Sequence, residues 1–255
     1  MSADVHRAAV AELVGTAILV TTIIGSGIQG ETLSQDPAVA LLGNTLATWG
    51  ILFVLITIFG PVSGAHFNPV VSYVFFCRGE LRLNDLIIYI PLQFCGAIIG
   101  AIMAHAMFEL SLAEFDGKDR DSLGEWLGEV IATIGLLMTI LGSIGANAKG
   151  TIPMAVGLYI TAGYWFTSST SFANPAVTVG RSFTNTFAAI NPSSILPYIA
   201  GQIVGLIVGL PFCEWMWNDK SFIAATLTLF PPVARSVPET RSRQENLPVD
   251  QVNSR

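Results

Sequence analysis

The sequence predicts an all-α membrane protein, with six transmembrane helices and two re-entrant half-helices arranged as an inverted 3+3 repeat. Three observations support this prediction: few charged residues, six apolar segments of spanning length, and two short apolar segments that begin with Asn-Pro. Only 12% of the 255 residues are charged and 52% are apolar, whereas a soluble domain has about 25% charged residues. The bilayer is therefore the expected solvent for most of the chain.

The six spans are predicted from the length of their apolar runs. A hydrocarbon core about 30 Å thick needs about 20 helical residues. Runs of suitable length lie at 5–28, 39–60, 84–108, 123–144, 152–169 and 195–217. The first run is longer than the apolar region of a cleavable signal peptide, so we expect it to remain as a helix of the mature protein.

Two further apolar segments are too short to span; they lie at 68–77 and 174–184. Asn is a favoured helix N-cap and Pro a favoured first helical residue, so each Asn-Pro pair predicts a helix start within the membrane. Such a start is tolerated where protein or water surrounds it. Two half-helices that enter from opposite faces would bring their positive dipole ends together near the midplane. We expect that point to favour a neutral solute with an oxygen lone pair and to repel cations, including protons.

The two halves of the chain share one pattern, which defines repeat 1 (about 5–110) and repeat 2 (about 122–220). The string Ala-Glu-Leu-Val-Gly-Thr at 11–16 matches Gly-Glu-Val-Ile-Ala-Thr at 128–133. Each half holds three spans, so the second copy must enter from the opposite face, and such repeats place the solute path at their interface. Glycines at every fourth residue favour close helix packing; they are Gly96, Gly100, Gly201, Gly205 and Gly209.

The basic residues predict that both termini are cytoplasmic and that the protein lies in the plasma (inner) membrane. An even number of spans places both termini on one side. With that side inward, the inner regions hold nine Lys and Arg residues and the outer connections hold only Lys118 and Arg120, as the positive-inside rule requires. We expect residues 1–230 to form the channel domain and the polar, proline-interrupted segment 231–255 to be a disordered cytoplasmic tail.

The remaining chemistry argues against an enzyme and against a cofactor or metal. The three cysteines are far apart in sequence, and no nucleophile–base pair or nucleotide loop is evident. A net charge of −6 argues against a nucleic-acid partner. Glu12 and Glu129 lie inside spans, where ionisable residues are costly and usually functional. A proton-coupled secondary transporter is therefore the alternative from another class, distinguished by saturable flux that depends on a proton gradient.

Four strings resemble the major intrinsic protein family, the aquaporins and aquaglyceroporins, over about residues 8–217. They are Ala11-Glu12-x-x-Gly15-Thr16, Ser63-Gly-Ala-His-Phe-Asn-Pro-Val70, Gln93-x-x-Gly96-Ala97 and Phe172-Ala-Asn-Pro-Ala176. The resemblance implies an aquaporin-like hourglass of six helices and two half-helices. It also implies a homotetramer with one pore per subunit, passing small neutral solutes across the lipid bilayer. It implies that the pore motifs are Asn68, Pro69, Val70, Asn174, Pro175 and Ala176. Glu12, Glu129, Gln93 and Gln202 would support the re-entrant loops, and His66 would line the inner vestibule.

The resemblance also implies an outer selectivity filter. Most family members carry Arg three residues after the second Asn, where this chain has Val177. Counting from the motifs places Ser171, Tyr164 and Thr48 at the other positions, with Trp49 replacing Thr48 if the second span shifts by one residue. We expect this uncharged filter to be less hydrophilic and wider, although Tyr164 would restore some closure. Arg181, one turn beyond Val177, would either approach the outer pore or bind loop carbonyls.

Two further departures bear on the solute. Val70 replaces the usual Ala where the half-helices meet, and Thr178 replaces the Asp that follows the filter Arg in glycerol facilitators. An uncharged filter with Val in the Arg position is similar to a bacterial subgroup found in arsenic-resistance settings. That similarity implies passage of arsenous acid, a neutral molecule with hydroxyls on a compact body, as in glycerol. Glycerol, urea and boric acid are alternatives, and a water-selective channel is the competing interpretation.

Overall fold

The computed structural model describes residues 3–218 and 220–231, and in this part of the chain every regular element is helical. The helices are α1 (Ala3–Leu33), α2 (Pro37–Ser63), α3 (Pro69–Cys77), α4 (Leu83–Met107), α5 (Leu123–Gly145), α6 (Ile152–Phe166), α7 (Pro175–Gly180), α8 (Ile195–Trp217) and α9 (Phe222–Leu227). The all-α prediction is confirmed. The segment 231–255, which was expected to be a disordered tail, lies outside the described residues except for Pro231.

Five of the described helices, α1, α2, α4, α5 and α8, are long and apolar enough to cross a membrane. The sixth predicted span is α6, whose 15 residues correspond to about 22 Å of helix. It ends three residues earlier than predicted, because Thr167 adopts an extended conformation and its hydroxyl donates to Gly163 O at 2.7 Å. Residues 167–169 instead belong to the loop that leads to Asn174.

The two short segments form α3 and α7, and each starts at its Asn-Pro pair. Asn68 Oδ1 accepts a hydrogen bond from Val70 N at 2.9 Å, and Asn174 Oδ1 accepts one from Ala176 N at 3.0 Å. Thus each Asn is the N-cap of a helix that begins at the following proline. α7 ends at Gly180, and a short 3-10 turn follows. Arg181, which was predicted to lie within the half-helix, therefore lies just beyond it.

Small residues bring the helices of each half into close contact. A Cβ added at Gly96 would lie 2.4 Å from Leu13 O, which places α4 directly against α1. A Cβ added at Gly205 would lie 2.8 Å from Val130 O, which places α8 against α5 in the same way. These two pairs are equivalent in the repeat. They form the packed walls against which both re-entrant segments lie.

The helix α9 was not predicted from the sequence; it follows α8 and packs against it. Its N-cap is Ser221, whose hydroxyl oxygen accepts a hydrogen bond from Ala224 N at 3.3 Å. Tyr73 of α3 donates to Leu229 O at 3.1 Å. At the same end of the molecule, the buried carboxylate of Glu214 pairs with both Arg78 and Lys220. These contacts attach the segment after α8 to the end of α3.

Candidate functional site

Each half-helix is preceded by a loop whose backbone is left-handed at three matching positions. The φ values are 91° at Gly64, 51° at Ala65 and 48° at Phe67 in the first loop, and 60° at Thr170, 51° at Ser171 and 46° at Ala173 in the second. For residues other than glycine this conformation costs about 1–2 kcal/mol each. It persists only where surrounding contacts determine it.

The carboxylate of Glu12 supplies those contacts in the first loop. Oε1 accepts hydrogen bonds from Ser63 Oγ at 2.7 Å and His66 N at 2.9 Å, and Oε2 accepts from Phe67 N at 2.7 Å and Gln93 Nε2 at 2.8 Å. The side chain of Glu12 is fully buried. Four donors thus converge on one carboxylate, and two of them are backbone N–H groups that the left-handed turn directs towards it.

Glu129 repeats this arrangement in the second loop. Oε1 accepts from Phe172 N at 2.9 Å, and Oε2 accepts from Ala173 N at 2.8 Å and Gln202 Nε2 at 2.6 Å. Glu129 is also fully buried. Because neither glutamate borders the lumen described below, both carboxylates are structural ligands of the loop backbone.

The two glutamines, Gln93 and Gln202, support the loops through these carboxylates. Gln93 Nε2 also donates to Ser72 Oγ at 2.8 Å, and Gln202 Nε2 to Thr178 Oγ1 at 3.0 Å. Thr178 in turn donates to Asn174 O at 2.8 Å. Ser72 and Thr178 each lie four residues after their Asn. They are equivalent members of the repeat that the sequence analysis missed, and Thr178 therefore faces the packed interior.

The tips of the two loops are joined by a reciprocal pair of hydrogen bonds. Asn68 Nδ2 donates to Ala173 O at 2.7 Å, and Asn174 Nδ2 donates to Phe67 O at 2.8 Å. Both bonds form with Val70 in place of the smaller Ala. An amide nitrogen carries two hydrogens, so each Asn keeps one donor. Both asparagines border the lumen, where those donors can meet a solute.

The other motif residues face away from the lumen. Pro69, Val70 and Pro175 border an apolar groove beside Leu206 of α8, and Ala176 is fully buried. Their contribution is to start the half-helices and pack them. Among the residues of the two motifs, only Asn68 and Asn174 border the lumen.

A cavity between the helices, called the lumen here, has one apolar side and one polar side. The apolar side comes from α1, α2, α5 and α6 and consists of Leu19, Ile23, Leu52, Ile56, Leu136, Ile140, Ile152, Val156 and Ile160. The polar side comes from the two loops, where Gly64 can present only backbone. This lining matches a molecule that carries hydroxyls and a compact apolar body.

The four residues assigned to the outer filter all border this lumen. They are Thr48, Tyr164, Ser171 and Val177. Thr48 Oγ1 lies 3.5 Å from the Tyr164 hydroxyl, and the Ser171 hydroxyl has no hydrogen-bond partner within the described residues. Trp49, the alternative to Thr48, packs against α6, where a Cβ on Gly157 would lie 2.5 Å from its ring. The four side chains of this ring are therefore uncharged, and the hydroxyl of Thr48 donates to Asn44 O at 2.8 Å.

Two further polar side chains, His66 and Arg181, border the lumen. His66 stacks on Phe75 with ring centroids 4.7 Å apart, and its Nδ1 lies 3.1 Å from Ser72 Oγ. Arg181 donates from Nε to Ala188 O, and its guanidinium lies over the ring of Phe172, 3.5 Å from the centroid. Arg181 thus binds a loop carbonyl and also borders the lumen, which combines the two alternatives considered for it.

Comparison with known proteins identifies the same architecture. The model of the family described as major intrinsic protein matches residues 1–173. The aquaglyceroporin AqpS of Rhizobium meliloti (strain 1021) is 47% identical over 213 residues, covering 84% of this chain and 91% of that protein. A probable TIP-type aquaporin of Medicago truncatula is 30% identical over 214 residues, covering 79% of this chain and 83% of its own. The X-ray structure of the aquaglyceroporin from Plasmodium falciparum superposes with a TM-score of 0.63 at 24% identity, covering 83% of this chain and 95% of that one.

Replacement of Glu129 by Gln should destabilise the second loop. A Gln side chain offers one acceptor oxygen, so its NH2 group would face a backbone N–H, and an unpaired buried donor costs about 1–3 kcal/mol. We expect a lower thermal unfolding temperature in detergent, together with reduced water and solute permeability in liposomes.

The matched control for this prediction is Glu125→Gln, one turn earlier on α5. Glu125 is only half-buried and belongs to the capping box with Ser122, a position where Gln serves as well as Glu. Equal stability and flux of the two variants would contradict the assigned role of Glu129.

Proposed function

Since the chain belongs to the major intrinsic protein family, a family of channels and not of enzymes, we propose that its solutes are glycerol-like polyols and arsenous acid. The protein is an integral membrane channel for small neutral solutes. The observation that supports the narrower proposal is the uncharged ring at the outer end of the lumen. In it Val177 occupies the position at which most members of the family have Arg.

The lining chemistry supports a neutral solute rich in hydroxyls. Such a solute can accept hydrogen bonds from Asn68 and Asn174 and donate to loop backbone, while the aliphatic side of the lumen contacts its body. Arsenous acid is uncharged at neutral pH and has three hydroxyls on a compact centre. Glycerol presents a similar surface, and the similarity to the aquaglyceroporin AqpS supports the same solute class.

We propose that the channel is a homotetramer in which each subunit has its own pore. The support for separate pores is that residues of a single chain line the whole lumen. Apolar side chains are exposed on the outer faces of α2 and α6, including Leu46, Phe53, Leu158 and Trp165. Neighbouring subunits or lipid would cover them.

We propose that both termini are cytoplasmic and that the protein lies in the plasma (inner) membrane. Arg78 and Lys220 meet at Glu214 at one end of the molecule, close to the end of α8. Lys118 and Arg120 lie in the loop between α4 and α5, which belongs to the other end. Placing the more basic end inward satisfies the positive-inside rule.

The proposed solute range is tested by stopped-flow light scattering on proteoliposomes. Water, glycerol and arsenous acid permeability would be measured in one preparation, with protein-free liposomes as the control. We expect fast solute entry, with arsenous acid at or above glycerol. Fast water movement without solute entry would contradict the proposal, because it would mean that Tyr164 closes the ring and makes the channel water-selective.

Replacement of Val177 by Arg should reduce the flux of glycerol and arsenous acid more than the flux of water. A long side chain would narrow the ring, and a tenfold loss of solute flux corresponds to about 1.4 kcal/mol of added barrier. Val177→Met is the control for added length without charge. The same stopped-flow assay measures all three proteins, and equal loss of water and solute in assembled protein would contradict the assignment of Val177 to the filter.

A further inference from the structure

Arg181 brings a positive charge into a lumen whose filter ring has none. Among the described residues that border the lumen, it alone carries a formal charge. It is nearly fully buried, with 3% of its surface exposed. It follows Val177 by four residues, so its backbone lies about one helical turn further along the chain.

The hydrogen bonds of Arg181 leave its terminal nitrogens available. Nε donates to Ala188 O. Within the described part of the chain, neither Nη group has a hydrogen-bond partner. Both groups nevertheless have accessible surface, because they are absent from the set of fully buried, unpaired polar atoms. Because Arg181 borders the lumen, these groups open into it. A guanidinium in this state offers donors to a solute oxygen.

Two contacts fix the position of this guanidinium. Its central carbon lies 3.5 Å from the centroid of the Phe172 ring, within the range of a strong cation–π contact. Its Nε is held by the Ala188 carbonyl. No carboxylate forms an ion pair with Arg181 in the described residues, so its charge is not neutralised locally and acts on whatever enters the lumen.

We propose that Arg181 is the specificity-determining cation of the outer mouth, which excludes cationic solutes and binds solute oxygen in place of an arginine at position 177. This inference rests on the proposed function of the lumen as a path for neutral solutes. It separates two properties of the filter: Val177 sets the width of the ring, and Arg181 supplies the charge outside it. A wide ring can then pass polyols and metalloid hydroxides while cations remain excluded.

Arg120 provides a matched comparison. Its guanidinium also lies near Phe172, 5.3 Å from the ring centroid, and it is similarly buried at 5% exposure. Its Nε donates to Ala189 O at 3.0 Å and its Nη1 to Ser169 O at 3.4 Å. Unlike Arg181, it does not border the lumen. Arg120 therefore shares the structural contacts of Arg181 without access to the solute.

The test uses Arg181→Gln and Arg120→Gln in proteoliposomes of the full chain. The Nε2 atom of Gln is as many bonds from Cα as the Nε atom of Arg. Each variant can therefore still donate to its carbonyl, Ala188 O or Ala189 O. The probes are urea and guanidinium, which are both planar and of nearly equal size but differ in charge. Their uptake would be measured separately, with the membrane potential held at zero.

We expect Arg181→Gln to raise guanidinium uptake relative to urea about tenfold, because removal of a nearby like charge lowers the electrostatic barrier. Arg120→Gln should leave this ratio at the wild-type value. An unchanged ratio in Arg181→Gln, or an equal rise in both variants, would overturn the proposal.

Arg181→Lys is a second variant that does not depend on how well Arg181→Gln folds. It keeps the charge but cannot reproduce the planar contact with Phe172. Continued exclusion of guanidinium would support the proposal, and loss of exclusion in folded protein would overturn it. Glycerol uptake by the wild type reports the proposed function separately, so failure of that function is distinguishable from failure of this inference.

Discussion

The two buried glutamates are the constraint on which the rest of the structure depends. Each re-entrant loop must turn inside the membrane with non-glycine residues at positive φ, such as Ala65 and Ser171. That backbone is unfavourable by itself, and the N–H groups that it turns inward have no water to bind. Glu12 and Glu129 accept those groups. Without them the loops would lose both their conformation and their satisfied hydrogen bonds.

This constraint determines how the half-helices meet and which groups line the lumen. With both loops fixed, Asn68 and Asn174 bind the opposite loop and still retain one donor each. Backbone and amides then line one side of the lumen, while aliphatic side chains of four helices line the other. The result is a path for neutral molecules. Selectivity among them depends on the outer end, where Val177 and Arg181 border the lumen at different levels.

Much of this could be predicted from the sequence, because the internal repeat relates the two halves. The equivalence of Glu12 with Glu129, and of the two Asn-Pro motifs with each other, follows from local strings that occur twice. The end of α6 and the helix α9 could not be predicted. The first depends on the side chain of Thr167, which donates to Gly163 O, and the second on packing against α8. The grouping of Arg120 and Arg181 at Phe172 joins distant loops, and no local pattern indicates such contacts.

Because the two intramembrane carboxylates bind loop backbone and do not border the lumen, we expect them to take no part in transport. Glycerol uptake by proteoliposomes, measured over a range of concentrations with and without an imposed proton gradient, tests this expectation. Uptake should be proportional to the glycerol gradient and unaffected by the proton gradient in either direction. Saturable uptake that is driven or reversed by the proton gradient would contradict it, because Glu12 or Glu129 would then have to exchange protons during transport.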